Sequence, residues 1–166
     1  MSAPKGPRVV VLGIAAQYPL AGVTWQAIHY LVGLRALGCD VFYVEDSGAP
    51  PYDPASGGIG VSADANVAFL ADVMRRFDLA DRWAYWDALT DRWHGHDAAG
   101  VRELYRTAHA IFDLCGATKL RDEHRQGAKI CYVETDPMYE QMRVANGEED
   151  SIGFLGSHDG VPRSSP

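Results

Sequence analysis

Two uninterrupted apolar runs of strand length, "RVVVLGI" at residues 8–14 and "DVFYVED" at residues 40–46, bracket a stretch of helical length. This spacing constrains the fold more than any other feature. A strand with one face in water alternates apolar and polar residues, whereas a run without alternation has both faces covered, as inside a parallel sheet. Thr24 is positioned to cap the intervening helix "WQAIHYLVGLRAL", and Gly38 to stop it in a left-handed turn. That helix is apolar almost all round, with only Gln26, His29 and Gly33 in a narrow polar stripe, so cover on more than one side is expected. Strand, helix and strand in this order, joined by a right-handed crossover, make a parallel βαβ unit.

The Gly, Pro and Ser content of "SGAPPYDPASGGIG" predicts a long surface loop over residues 47–60. Ser62 then caps a second helix with Val67, Leu70, Met74 and Phe77 on one face, Asp64 in the first turn and Arg75 and Arg76 in the last. "DRWAYWDALTDRW" reads as a brief strand or a packed turn; its Trp83, Tyr85, Trp86 and Trp93 suit either sugar stacking or a small aromatic core. Residues 98–107 predict a helix, "AHAIFDLCG" a strand, "KLRDEHRQG" a short polar helix and "AKICYVETD" a further buried strand. Pro137 after Asp136 opens a helix, "PMYEQMRVAN". Four or five strands separated by helices predict a single α/β domain over residues 1–146: a doubly wound, mainly parallel, Rossmann-like sheet flanked by helices. Residues 147–166 keep neither period and are expected to form an irregular tail, such as a truncated chain would leave.

Composition excludes some classes of function. With 47% hydrophobic and 22% charged residues the chain can bury a core, and its net charge of −7 repels phosphate backbones, so nucleic acid is not expected as a partner. The sequence shows no apolar stretch of membrane-spanning length and no signal peptide, which predicts a cytoplasmic protein. Cys39, Cys115 and Cys131 form no C-x-x-C pair and read as buried free thiols. His94 and His96 have no third ligand near them in sequence, so neither a metal nor a cofactor is expected.

In an open α/β sheet ligands bind beyond the carboxyl ends of the strands, here the loops after Ile14, Val44, Cys115 and Glu134. Gly13 and Gly22 are too far apart for a G-x-G-x-x-G fingerprint, and no Gly-Lys-Ser/Thr tripeptide occurs. Glu45 and Asp46 stand where a dehydrogenase holds a ribose, the sole support for a small nicotinamide-dependent oxidoreductase. The loop "AAQYPLAGV" exceeds the usual ~2–6 residues of a strand-to-helix connection. It either presents a helix N-terminus to an anion or leaves Thr24 to satisfy the free N–H groups itself. "VETDP" delivers Glu134, Thr135 and Asp136 to the same edge, where Asp136 is either a base for a substrate hydroxyl or only the cap of the next helix.

Taken in order, "GIAAQYPLAGVTWQAIHYLVGLRALGCDVFYVED", "DRWAYWD" and "VETDP" resemble the start of GT-B-type glycosyltransferases, in particular a bacterial group related to them, over roughly residues 8–146. The resemblance implies two Rossmann-like domains facing across a cleft, the first shaping the acceptor pocket, the second binding a nucleotide-sugar, without a metal. It places Gly13, Tyr18, Gly22 and Thr24 at the cleft near the donor phosphates and adds Asp46 and Thr135 as substrate-binding residues. Asp136 becomes the catalytic residue assisting the acceptor hydroxyl. Many of these enzymes carry a His-Asp pair where this chain has Thr135-Asp136. On this resemblance the chain is the acceptor-side half of a transferase, inactive alone for want of the nucleotide-sugar domain, with a sugar acceptor and a nucleotide-sugar as partners. The alternative from another class is a non-catalytic binding module that self-associates through an exposed apolar face.

Overall fold

The computed structural model describes residues 6–135 and 138–159. Its chain order is β1 (Arg8–Leu12), α1 (Ala21–Ala36), β2 (Asp40–Glu45), β3 (Tyr52–Asp53), β4 (Gly58–Ile59), α2 (Asp64–Arg76), β5 (Trp83–Asp87), β6 (Arg92–Gly95), α3 (Ala98–Thr107), β7 (Ala110–Leu114), β8 (Lys129–Val133), α4 (Tyr139–Ala145) and α5 (Glu149–Gly156). A 3-10 turn at Asp122–His124 lies between β7 and β8.

Six strands form one sheet in the order β6-β5-β2-β1-β7-β8. All neighbours are parallel except β5 and β6, an antiparallel hairpin at one margin. Successive residues of a strand point to opposite faces, and both faces are covered here. Val9 and Val11 pack beneath α1 and α2 with Ile28, Leu31, Leu70 and Met74. Val10 and Leu12 pack on the other face with Val101, Leu104 and Tyr105 of α3. The unbroken apolar run of β1 follows from this double cover. The fold is thus an α/β layer with a mixed, mostly parallel sheet. Its strand order turns back at β1, which pairs with β2 on one side and β7 on the other.

Four local expectations are corrected. Helix α1 begins at Ala21 after Leu20, and Thr24 lies inside it: the hydroxyl donates to the Leu20 carbonyl at 2.9 Å instead of accepting from an N–H. The helix is covered on one side only, burying Thr24, Ala27, Ile28 and Leu31 and leaving Trp25 52% exposed. "KLRDEHRQG" yields only the 3-10 turn, because the Arg121 and His124 side chains turn inward. Within the expected irregular tail, residues 149–156 form α5, and His158 and Asp159 just beyond it are bonded to the sheet. His158 Nε2 lies 3.2 Å from the Asp113 carboxylate, both side chains fully buried, and Phe154 packs edge-on against Tyr132.

The aromatic segment resolves to its strand alternative, β5, paired with β6. The predicted surface loop carries the small β3–β4 hairpin. Tyr52 N–H donates to the Gln17 carbonyl, and Asn66 Nδ2 donates to the Ala16 and Tyr52 carbonyls, which ties this hairpin to the β1–α1 loop. Of the three cysteines, Cys39 and Cys131 are partly buried and Cys115 is exposed, so the expectation of buried thiols is also corrected. Among the described residues no helix is long and apolar enough to cross a membrane.

Candidate functional site

The β1–α1 loop is built around a carboxylate that belongs to the protein. Glu45, the last residue of β2, is fully buried among the loop's backbone donors: Ala16 N–H reaches Oε1 at 2.5 Å and Gln17 N–H reaches Oε2 at 2.9 Å. Tyr43, two residues earlier and on the same face of β2, donates its hydroxyl to Oε1 at 2.6 Å and accepts from Ala15 N–H at 2.8 Å. Three consecutive amides after a strand are the arrangement that elsewhere receives an anionic ligand. Here the anion is internal. Burial pushes the Glu45 carboxyl up to about 7 against the opposing pull of its hydrogen bonds. Burial and then the Glu45 charge drive the Tyr43 phenol well above its ordinary value, which keeps it a donor.

Gly13 belongs to the same construction. It is buried, and a Cβ there would stand 2.6 Å from the Tyr43 hydroxyl oxygen. The need for glycine at position 13 therefore arises from the tyrosine beside it. Tyr18 is exposed further along the loop and stacks on Tyr52, with ring centroids 5.7 Å apart.

Beyond β1 and β7 a second group of residues converges. Gly22, in the first turn of α1, opens with Trp25, Gln26, His29 and Tyr30 onto a groove along the helix. Leu20 provides no side-chain cap, so the first N–H groups of α1 face this edge without one. From the second turn Gln26 Nε2 reaches Cys115 Sγ at 3.1 Å, and Cys115 Sγ lies 2.6 Å from the Thr135 hydroxyl. Cys115 leaves β7 with φ at +55°, a left-handed turn that lifts its side chain out of the strand line. Gly22 and Thr135 are thus linked through two residues, Gln26 and Cys115, that had no assigned role in the sequence. Asp136 lies outside the described residues.

Asp46 sits on the opposite flank. Its side chain is fully buried and accepts from the Tyr105 hydroxyl at 2.8 Å and from His124 Nε2 at 3.2 Å, and it pairs with Arg121. Arg121 N–H donates to His124 Nδ1 at 2.9 Å, so that nitrogen is the acceptor and Nε2 carries the proton given to Asp46. Burial raises the Asp46 carboxyl, but the hydrogen bonds from His124 and Tyr105 and the Arg121 charge outweigh it and hold the group below its ordinary range. Asp46, Glu123 and His124 cluster closely enough to suggest a metal site, yet both carboxylates are already ion-paired with the Arg121 guanidinium. Tyr105, Arg121 and His124 are the residues that sequence reasoning missed here, and no local motif marks them.

The chain matches no protein-family profile, no curated protein and no solved structure. The chain forms a Rossmann-like α/β layer whose strand order reverses between β1 and β7.

Proposed function

We propose that this chain is the acceptor-side layer of a metal-independent glycosyltransferase. The observation that carries the reading is the pairing of β1 with both β2 and β7, a reversal of strand order of the kind beyond whose carboxyl ends open α/β sheets bind ligands in a crevice. Around it stand the uncapped first turn of α1, Gly22, Gln26, Cys115 and Thr135, with Asp136 next in the chain. In this reading the acceptor sugar lies in the crevice and Asp136 takes the proton of its attacking hydroxyl as the glycosidic bond forms and the nucleoside diphosphate leaves. Gly22 and the helix end face the donor phosphates, and the nucleotide-sugar is held mainly by a facing half. Arg121 stands as the fixed cation where a metal would otherwise pair with Asp46 and Glu123.

The test is a two-dimensional amide NMR titration of this chain with acceptor saccharides and, separately, with nucleotide-sugars. Saccharide-dependent shifts at Gly22, Gln26, Cys115 and Thr135, with no tight nucleotide-sugar binding, are expected. Tight donor binding by this chain alone, or saccharide shifts that avoid those four residues, would overturn the assignment.

A second reading, a non-catalytic interaction module, is favoured by one observation. A groove of about 750 Å³ between α1 and α2 is lined by Trp25, Ile28, Phe69, Val73 and Phe77, with Trp25 half exposed. Concentration-dependent self-association that is abolished in Trp25→Glu would support it; a clean monomer at all concentrations counts against it.

A further inference from the structure

The β5–β6 hairpin divides its aromatic residues between two purposes. Trp83 and Tyr85 alternate into the core under α1 and α2, at 7% and 3% exposure. Trp86 turns to the other face, opposite Trp93 of β6, and the two indoles lie with centroids 6.5 Å apart and planes within 25°. Trp86 belongs to neither hydrophobic core, although Trp is among the most stabilising residues a core can bury. Its ring is nevertheless held in place, since Nε1 donates to Asp91 Oδ1 at 3.2 Å.

These two rings form a wall of a cavity of about 300 Å³ between the hairpin and α3. Ala98 and Val101 supply further apolar lining, while Asp46, Asp91, Glu123, Arg102 and Arg121 bring charged groups to it. The volume is at the small end of ligand pockets, about 300–1,000 Å³, too small for a dinucleotide and enough for a single ring.

We infer that this cavity is a saccharide-binding subsite, with one face of a pyranose ring against Trp86 and Trp93 and its hydroxyls bonded to Asp91, Glu123 and Arg102. A pyranose gathers weakly positive C–H groups on one face, which suits the negative face of an indole. Its hydroxyls both donate and accept, which matches a rim carrying carboxylates and guanidiniums together. A phosphate would meet three carboxylates against two guanidiniums, a net repulsion in a site where Asp46 is held ionised. A neutral sugar meets no such opposition. The inference deepens the proposed function, since it rests on saccharide as the substrate class and Asp46 lines this cavity; none of the crevice residues Gly22, Gln26, Cys115 or Thr135 takes part in it.

The test uses the whole chain, labelled for amide and indole NMR. It is titrated with glucose, galactose, mannose and N-acetylglucosamine, and in a separate arm with a nucleoside monophosphate. Saturable shifts of the Trp86 and Trp93 indole signals and of α3 amides are expected with at least one sugar. Trp93→Ala and Arg102→Ala, each confirmed as folded by circular dichroism, weaken that binding about tenfold or more, and Leu37→Ala at the far end of α1 leaves it unchanged. Absence of indole shifts with every sugar overturns the inference, as does tighter binding of the monophosphate at the same residues. Sugar shifts confined to the crevice overturn it while leaving the acceptor-side reading intact. Shifts at the hairpin alone support the subsite and remove the crevice assignment.

Discussion

Tyr43 donates its hydroxyl to Glu45 over 2.6 Å, and the two side chains together hold the backbone amides of Ala15, Ala16 and Gln17. The β1–α1 loop is therefore shaped from within by β2.

This arrangement sets a pH dependence. The Glu45 carboxyl sits at about 7 in the folded chain against an ordinary 4.5, so between these values the folded state holds a proton that the unfolded state has released. Stability then falls as pH rises from about 4.5 to 7 and levels off above, by on the order of 3 kcal/mol for this group. Urea midpoints measured across this range should show the decline in the wild type and a flatter profile in Glu45→Gln.

Gly13→Ala places a methyl group against the Tyr43 ring and is expected to cost about 1–3 kcal/mol by overpacking. Tyr43→Phe removes a hydroxyl that both donates and accepts, leaving Ala15 N–H unpaired at a cost of about 1–3 kcal/mol. Thermal denaturation of the two single variants and the double variant should reveal coupling, because the sites are in contact.

Asp46 acts in the opposite direction to Glu45. Its lowered carboxyl contributes stability that is complete above the ordinary carboxylate range and is lost as pH falls below about 4. Asp46→Asn should lower stability at neutral pH by about 1–3 kcal/mol and make the acid limb of the unfolding profile shallower.

His158→Ala leaves the Asp113 carboxylate buried without its nearest partner. A buried polar group left without its partner costs about 1–3 kcal/mol, and more where it is charged. Hydrogen exchange should show the largest loss of protection over residues 149–159, with β1 and β2 least affected.

Thiol reactivity separates the cysteines. Cys115 is exposed, whereas Cys131 is partly buried and its thiol is pushed up by burial and by Asp159. Mass spectrometry after brief alkylation at neutral pH should find Cys115 modified first.

The sequence made the sheet legible where periodicity was local. β1 and β2 lie within the predicted apolar runs, and α3 has its predicted bounds, because each carries its signal in consecutive residues. Thr24 misled because a threonine hydroxyl serves equally as a cap or as a donor to the carbonyl one turn back, and the sequence is the same for both. The C-terminal segment was illegible for a different reason. α5 is short, and what holds it in register is His158 meeting Asp113, 45 positions earlier. Asp46 was singled out from its place after β2, but Tyr105 and His124, which engage it, come from 59 and 78 positions away. Pairing over such distances leaves no pattern in a single sequence.

Asp159 completes one margin of the sheet. Its N–H donates to the Ile130 carbonyl at 2.8 Å and its carboxylate accepts from Ile130 N–H at 2.9 Å, so a single residue stands in for a neighbouring strand near the start of β8. A second molecule arriving at that border finds the Ile130 donor and acceptor already taken and a carboxylate in the way. The outermost strand is thereby guarded against templating fibre-like stacking between copies, a hazard that uncovered parallel strands otherwise carry.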